Sequence, residues 1–235
     1  TFSAIGYKFN RCWVGKTCQM SQLCFAMHFF SVPSTIQRLI PSCTWRRAVS
    51  EKVIFLTFDD GPHPRITPWV LDLLRQFDAR ATFFCVGDNL EKFPEVARLT
   101  LEQGHTLANH TMHHVKGWRT GLAEYLEEVD TCAAALTSVG SEQGLLFRPP
   151  YGQITGQQIR ALKARGYEVV QWSNLSCDYD RTLNVQTSLN ALVKGSKPGS
   201  IVVFHDSEKA EKQLLWLLPK YLEAMQSRGY QFISL

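Results

Sequence analysis

The chain has 235 residues, 45% of them apolar, enough for one sizeable core but not for two well-packed domains. Its net charge of +4 is uneven: residues 1–52 hold seven Lys or Arg and one acid, Glu51, which leaves 18 basic and 20 acidic residues in the remainder. A slightly acidic body offers no basic stripe for nucleic acid, and no run approaches the roughly 18 apolar residues of a membrane span.

Seven cysteines at positions 12, 18, 24, 43, 85, 132 and 177 form no CxxC pair, so neither a disulfide framework nor a zinc ribbon is expected. Cys85 and Cys132 fall within apolar patterns and read as buried thiols. The first thirty residues lack Asp and Glu, carry Lys8, Arg11 and Lys16, and run into LCFAMHFF, a faint likeness to a signal peptide that His28 interrupts. With no Met at the start and Met27 ahead of a more ordinary stretch, the first 26 residues read as a tag, a linker or an over-extended gene start. Residues 1–52 are set apart as an N-terminal appendage and 53–235 as the body.

In the body, short apolar runs predict buried parallel strands at 53–58 (VIFLTF), 81–86, 105–108, 145–148, 167–173, 200–205 (SIVVFH) and 230–234. Between them lie predicted helices. The first is capped by Thr67 with Pro68 at its first position; others cover about 91–102, 120–138, 155–165, 184–194 and 208–228, the last interrupted by Pro219. Seven strands alternating with helices predict an α/β fold, either doubly wound or a (β/α) barrel.

The polar residues fall where such folds carry their sites, at the carboxyl ends of strands. Asp59 and Asp60 follow the first strand, His110 and His114 the third, Arg148 the fourth, Asp178 trails the fifth, and His205 with Asp206 ends the sixth. Two adjacent carboxylates behind an apolar strand need a compensating cation or a shared proton. In HTMHH, histidines four apart can point the same way from a helical turn and, with Asp60, complete a His, His, Asp ligand set; His113 competes with His114 for the role. Asp59 is then free to take a proton from water. Asp-Asp-Gly-Pro is also an ordinary solvated turn, so the reading rests on the set rather than on one motif.

TFDDGP (57–62), HTMHH (110–114), RPPYG (148–152), the region from Trp172 to Tyr179 and IVVFHD (201–206) resemble, in order, the five motifs of polysaccharide deacetylases with a NodB-homology domain, carbohydrate esterase family 4. The likeness spans about 53–235. It implies a distorted (β/α) barrel of about seven parallel strands. It also implies one divalent ion, zinc first with cobalt, nickel or manganese as alternatives, on Asp60, His110 and His114.

By the same resemblance Asp59 is the general base, Arg148 its neighbour, and His205 the general acid, oriented by Asp178 or, in a second alignment of CDYD, by Asp180. The backbone N–H of Tyr151 serves the oxyanion, and Tyr179 with Val203 holds the acetyl methyl. The family usually has Trp and Leu at those two places, so the pocket is expected to be roomier or shaped for another acyl group. Trp172 reads as core or rim packing and His63 as a neighbour of the site. The implied substrate is an N-acetylated glycan, chitin-like or peptidoglycan-like; an amidase or O-acetyl esterase on another substrate is the alternative. A monomer is expected. The family suggests the cell envelope or secretion, while the missing clear export signal leaves the cytoplasm open.

Overall fold

Pairing of the apolar runs generates one sheet in which every strand is parallel to its neighbours. The structure, a computed structural model, describes residues 30–141 and 145–235; Cys12, Cys18, Cys24 and the signal-like segment lie outside them. In chain order the elements are α1 (Ser34–Leu39), β1 (Val53–Asp59), α2 (Ile66–Gln76), β2 (Thr82–Cys85), α3 (Gly87–Lys92), α4 (Pro94–Glu102), β3 (Thr106–Asn109) and α5 (Leu122–Ser138). There follow β4 (Leu146–Phe147), α6 (Gly156–Ala164), β5 (Glu168–Val169), β6 (Asn174–Leu175), α7 (Val185–Gly195), β7 (Ser200–His205), α8 (Glu211–Gln226) and β8 (Gln231–Ile233). Single 3₁₀ turns sit at Gly117–Arg119 and Pro150–Gly152.

The strand order is β5-β4-β3-β2-β1-β7-β6, with β8 paired to the start of β1. Its two ends, β5 and β6, belong to one stretch of chain, 168–175. The single strand expected at 167–173 is instead β5, which pairs with β4, followed just past its end by β6, which pairs with β7, and this curls the sheet into a distorted barrel. Residues from the region set apart as an appendage fill the remaining gap. The Thr44 amide donates to the Val169 carbonyl and its carbonyl accepts from Gln171, both at 2.8 Å, while the Arg47 amide donates to Gly199 at 2.9 Å.

Alternation along each strand sorts the side chains into layers. Ile54, Leu56, Phe58, Phe83, Cys85, Val202 and Phe204 pack in the main core with α2, α5 and α8. Phe55, Phe84, Ala108 and Ile201 meet in a second cluster inside the curl. The inward columns therefore run Phe55-Thr57-Asp59 on β1 and Ile201-Val203-His205 on β7, apolar at the base and ionisable at the top. Cys85 and Cys132, as expected, are buried free thiols, joined by Cys43 and Cys177.

Three helices differ from expectation. α2 starts at Ile66 with Arg65 as its cap residue. The ring Nδ1 of His63 accepts from the Arg65 and Ile66 amides, which frees the Thr67 hydroxyl to donate to Asp206. The helix expected near 91–102 is two, because Pro94 disfavours a helical Phe93, whose φ is −133° and ψ 54°. Pro219, by contrast, does not break α8; burial of Leu217, Leu218, Tyr221 and Leu222 holds the helix through the lost hydrogen bond.

Candidate active site

A cavity of about 300 Å³ opens over the carboxyl ends of β1, β3 and β7, lined by Asp59, Asp60, His110, His114, Tyr151, Trp172, Leu175, Tyr179, Val203, His205 and Lys209. Adjacent residues of a regular strand point to opposite faces. Asp60 escapes that rule because its backbone is left-handed, with φ of 79°, so both carboxylates reach the same cavity. The Gly61 amide donates to the buried Asp206 carboxylate at 3.1 Å, and a Cβ on Gly61 would meet that carboxylate at 2.2 Å. Only glycine fits there.

The helical turn expected for HTMHH does not form. His110 continues the inward column of β3, and left-handed residues at Thr111 (φ 66°) and His114 (φ 56°) fold the chain back so that the two rings lie 5.0 Å apart. His114 Nε2 is 3.2 Å and His110 Nε2 3.8 Å from Asp60 Oδ1. His113 points elsewhere, to Glu128. One ligand atom from each of Asp60, His110 and His114 lies within 4.8 Å of the others. The His110 Nδ1–H donates to the Arg148 carbonyl at 2.7 Å, leaving Nε2 as the unprotonated nitrogen. Burial keeps that ring neutral, with its pKa pushed down to about 4. Burial also disfavours charge on Asp60, but the His114 contact and the neighbouring imidazoles hold it well below the usual carboxylate range. A neutral imidazole and an ionised carboxylate are the forms a divalent ion requires, so the residues present fit one.

Asp59 is bound differently. The Arg148 guanidinium, fully buried and stacked 4.0 Å from the Phe84 ring, donates to Asp59 Oδ1 at 2.6 Å and to the Thr57 hydroxyl at 2.8 Å. On the other side of β1, His205 Nδ1–H donates to Asp178 Oδ1 at 2.7 Å, and the His205 amide to Asp178 Oδ2 at 2.9 Å. Asp178, not Asp180, is therefore the partner; an Asp180 oxygen accepts from the Thr182 amide and hydroxyl. Burial alone would lower the His205 pKa, but the Asp178 carboxylate raises it to about 9. The Tyr151 backbone is left-handed (φ 58°) and its N–H donates to no protein acceptor among the described residues. Trp172 lies on the cavity wall, against Gly152, where an added Cβ would come within 2.8 Å of the indole.

All ten predicted site residues lie in or directly behind this cavity. Leu175 and Lys209, also on its wall, were not anticipated, since one sits on a two-residue strand and the other on a turn. A buried ion-paired carboxylate, a His–Asp pair and a carboxylate with two imidazoles able to hold one ion meet at the mouth of a parallel barrel, where α/β-barrel enzymes carry their sites. The polysaccharide deacetylase family profile matches residues 46–170. The chain is 37% identical over 192 residues to a peptidoglycan-N-acetylglucosamine deacetylase of Bacillus cereus, covering 81% of this chain and 90% of that protein. It is 35% identical over 196 residues to a chitooligosaccharide deacetylase of Bradyrhizobium sp. (strain ANU 289), covering 76% and 86%. Among solved structures, the Bc1960 peptidoglycan N-acetylglucosamine deacetylase superposes with a TM-score of 0.80 at 27% identity, covering 87% of this chain and 95% of that one. A family 4 carbohydrate esterase from Streptomyces lividans, in complex with acetate, does so at 0.70 and 28%, covering 79% and 93%. The chain belongs to the polysaccharide deacetylase family and is by that membership a hydrolase.

Proposed function

We propose that the protein removes N-acetyl groups from amino-sugar polymers of the cell envelope, using one divalent ion, zinc first, on Asp60, His110 and His114. The observation that carries this reading is the division of labour between neighbours: Asp60 faces two imidazoles, whereas Asp59, on the same cavity, faces Arg148 through Oδ1. A bound ion would supply Lewis acidity toward the amide carbonyl and lower the pKa of water.

The chain's own residues do the rest. Asp59 takes the proton of the attacking water, its charge held in place by Arg148. Developing negative charge on the carbonyl oxygen meets the free Tyr151 N–H. His205, kept protonated by Asp178, gives its proton to the leaving nitrogen, because an amide anion is too basic to leave unprotonated. Tyr179 and Val203 enclose the acetyl methyl. The relatives named for chitooligosaccharide and for peptidoglycan both support an amino-sugar amide as substrate. No described helix is long and apolar enough to cross a membrane.

Zinc-loaded protein incubated with N-acetylglucosamine oligosaccharides is expected to lower the product mass by one acetyl group at a time and to release equimolar acetate. Chelator treatment is expected to stop the release, and zinc or cobalt to restore it. Undiminished acetate release from fully stripped protein would overturn the reading.

A further inference from the structure

The cavity is flanked by two similar stacks. On the β3 and β4 side, the Lys116 ammonium lies 4.9 Å from the Tyr151 ring centroid, and that ring lies 4.6 Å from His114. On the β6 and β7 side, the Lys209 ammonium lies 5.2 Å from the Tyr179 ring, which stands edge-on to His205 at 5.1 Å. Each cation thus sits one aromatic ring out from a histidine of the site. Among the described residues neither ammonium has a carboxylate partner, unlike Lys92, which pairs with Asp88. A ring face holds an ammonium in place without cancelling its charge. Arg181 adds a further positive group beside Lys209, donating to the carbonyls of Glu208 and Lys209 at 3.4 Å. Lys209 lines the cavity itself and Lys116 stands behind the cavity-lining Tyr151, in a body whose own balance is 18 basic to 20 acidic residues.

A neutral glycan gives such ammonium groups nothing to pair with. We propose that Lys116 and Lys209 select N-acetylated glycans that carry carboxylates on sugars flanking the reacting one, gripping them from the two rims of the cleft. The inference rests on the deacetylase reading, and names which polymer that site prefers. An ion pair on each rim adds to binding while leaving the chemistry at Asp59 and His205 unchanged. The magnitude is that of a favourable exposed pair, about fivefold in affinity for each lysine, and it is screened by salt.

The test uses the zinc-loaded full chain and two matched N-acetylglucosamine oligosaccharides in which alternate sugars bear a 3-O-lactyl group, one as the free carboxylate and one as its methyl ester. Dissociation constants are measured by calorimetry and kcat/KM by acetate release, at low and high salt. The carboxylate form is expected to bind and react about 25-fold better at low salt, about fivefold from each lysine. That ratio is expected to fall about fivefold in Lys116→Met and in Lys209→Met, to approach one in the double variant, and to be kept by Lys→Arg at both positions. A wild-type ratio near one, or a ratio that survives in the double variant, overturns the proposal. Absence of acetate release from both forms would instead overturn the deacetylase reading, while the calorimetric ratio still decides the role of the lysines.

Discussion

His110 and His205 sit on opposite sides of β1, both with Nδ1 hydrogen-bonded at 2.7 Å, yet they end in opposite charge states. The partner of His110 is a backbone carbonyl, and burial drives that ring's pKa down to about 4. The partner of His205 is the Asp178 carboxylate, which overcomes burial and lifts the ring to about 9. One residue type thus stands neutral on one wall and protonated on the other, the forms the proposed function needs of a ligand and an acid, and the atom facing Nδ1 decides which. Asp59 and Asp60 also differ in partner, one facing a guanidinium and the other two imidazoles.

The largest expected effect comes from breaking the buried Asp59–Arg148 pair. Arg148→Met leaves the Asp59 carboxylate buried without its cation, and is expected to cost about 3–5 kcal/mol of stability. Urea denaturation of the metal-loaded variant against wild type measures it. Asp178→Asn should make the acid wall resemble the ligand wall. In the wild type, kcat/KM is expected to fall as pH rises through about 9, where His205 loses its proton; in the variant the alkaline limb should move down toward the ordinary value of 6.5 or below. Stability follows the same sign. The His205 contribution is fully present below pH 6.5 and is lost as pH rises through about 9, so wild type and Asp178→Asn should converge in stability at high pH. The smallest effect concerns the acyl pocket. Val203→Leu removes space beside Tyr179 and is expected to lower turnover of N-propionyl relative to N-acetyl substrate by about tenfold, the worth of one methylene in such a pocket, as read by competition between the two substrates.

The residues most legible in the sequence stand on the longest strands. VIFLTFD and SIVVFH are apolar runs whose period-2 columns end on Asp59 and His205, so their placement follows from alternation alone. Asp60, His114 and Tyr151 reach the cavity through left-handed backbone at non-glycine residues, and Thr111 and Cys177 beside them share it. Such conformations cost about 1–2 kcal/mol each and are imposed by the surrounding fold, not by local preference, so position and spacing point to Asp60 and His114 without giving their backbone, and only the motif resemblance points to Tyr151. Chain from 43–47 extends the pairing just past β5, where Thr44 bridges Val170, and at the start of β7, where Arg46 bridges Ser200. Nothing in the composition of 43–47 announces that role, which is why the stretch reads as separate from the body.

The central claim is that Asp60, His110 and His114 hold the ion while Asp59 does not. It is tested most directly by measuring bound zinc per chain alongside acetate release for wild type, Asp59→Asn and His110→Ala. The account predicts that Asp59→Asn keeps about one zinc while its turnover falls by about 10²–10⁴-fold, the usual worth of a general base, and that His110→Ala loses both. Equal loss of zinc in the two variants would contradict it.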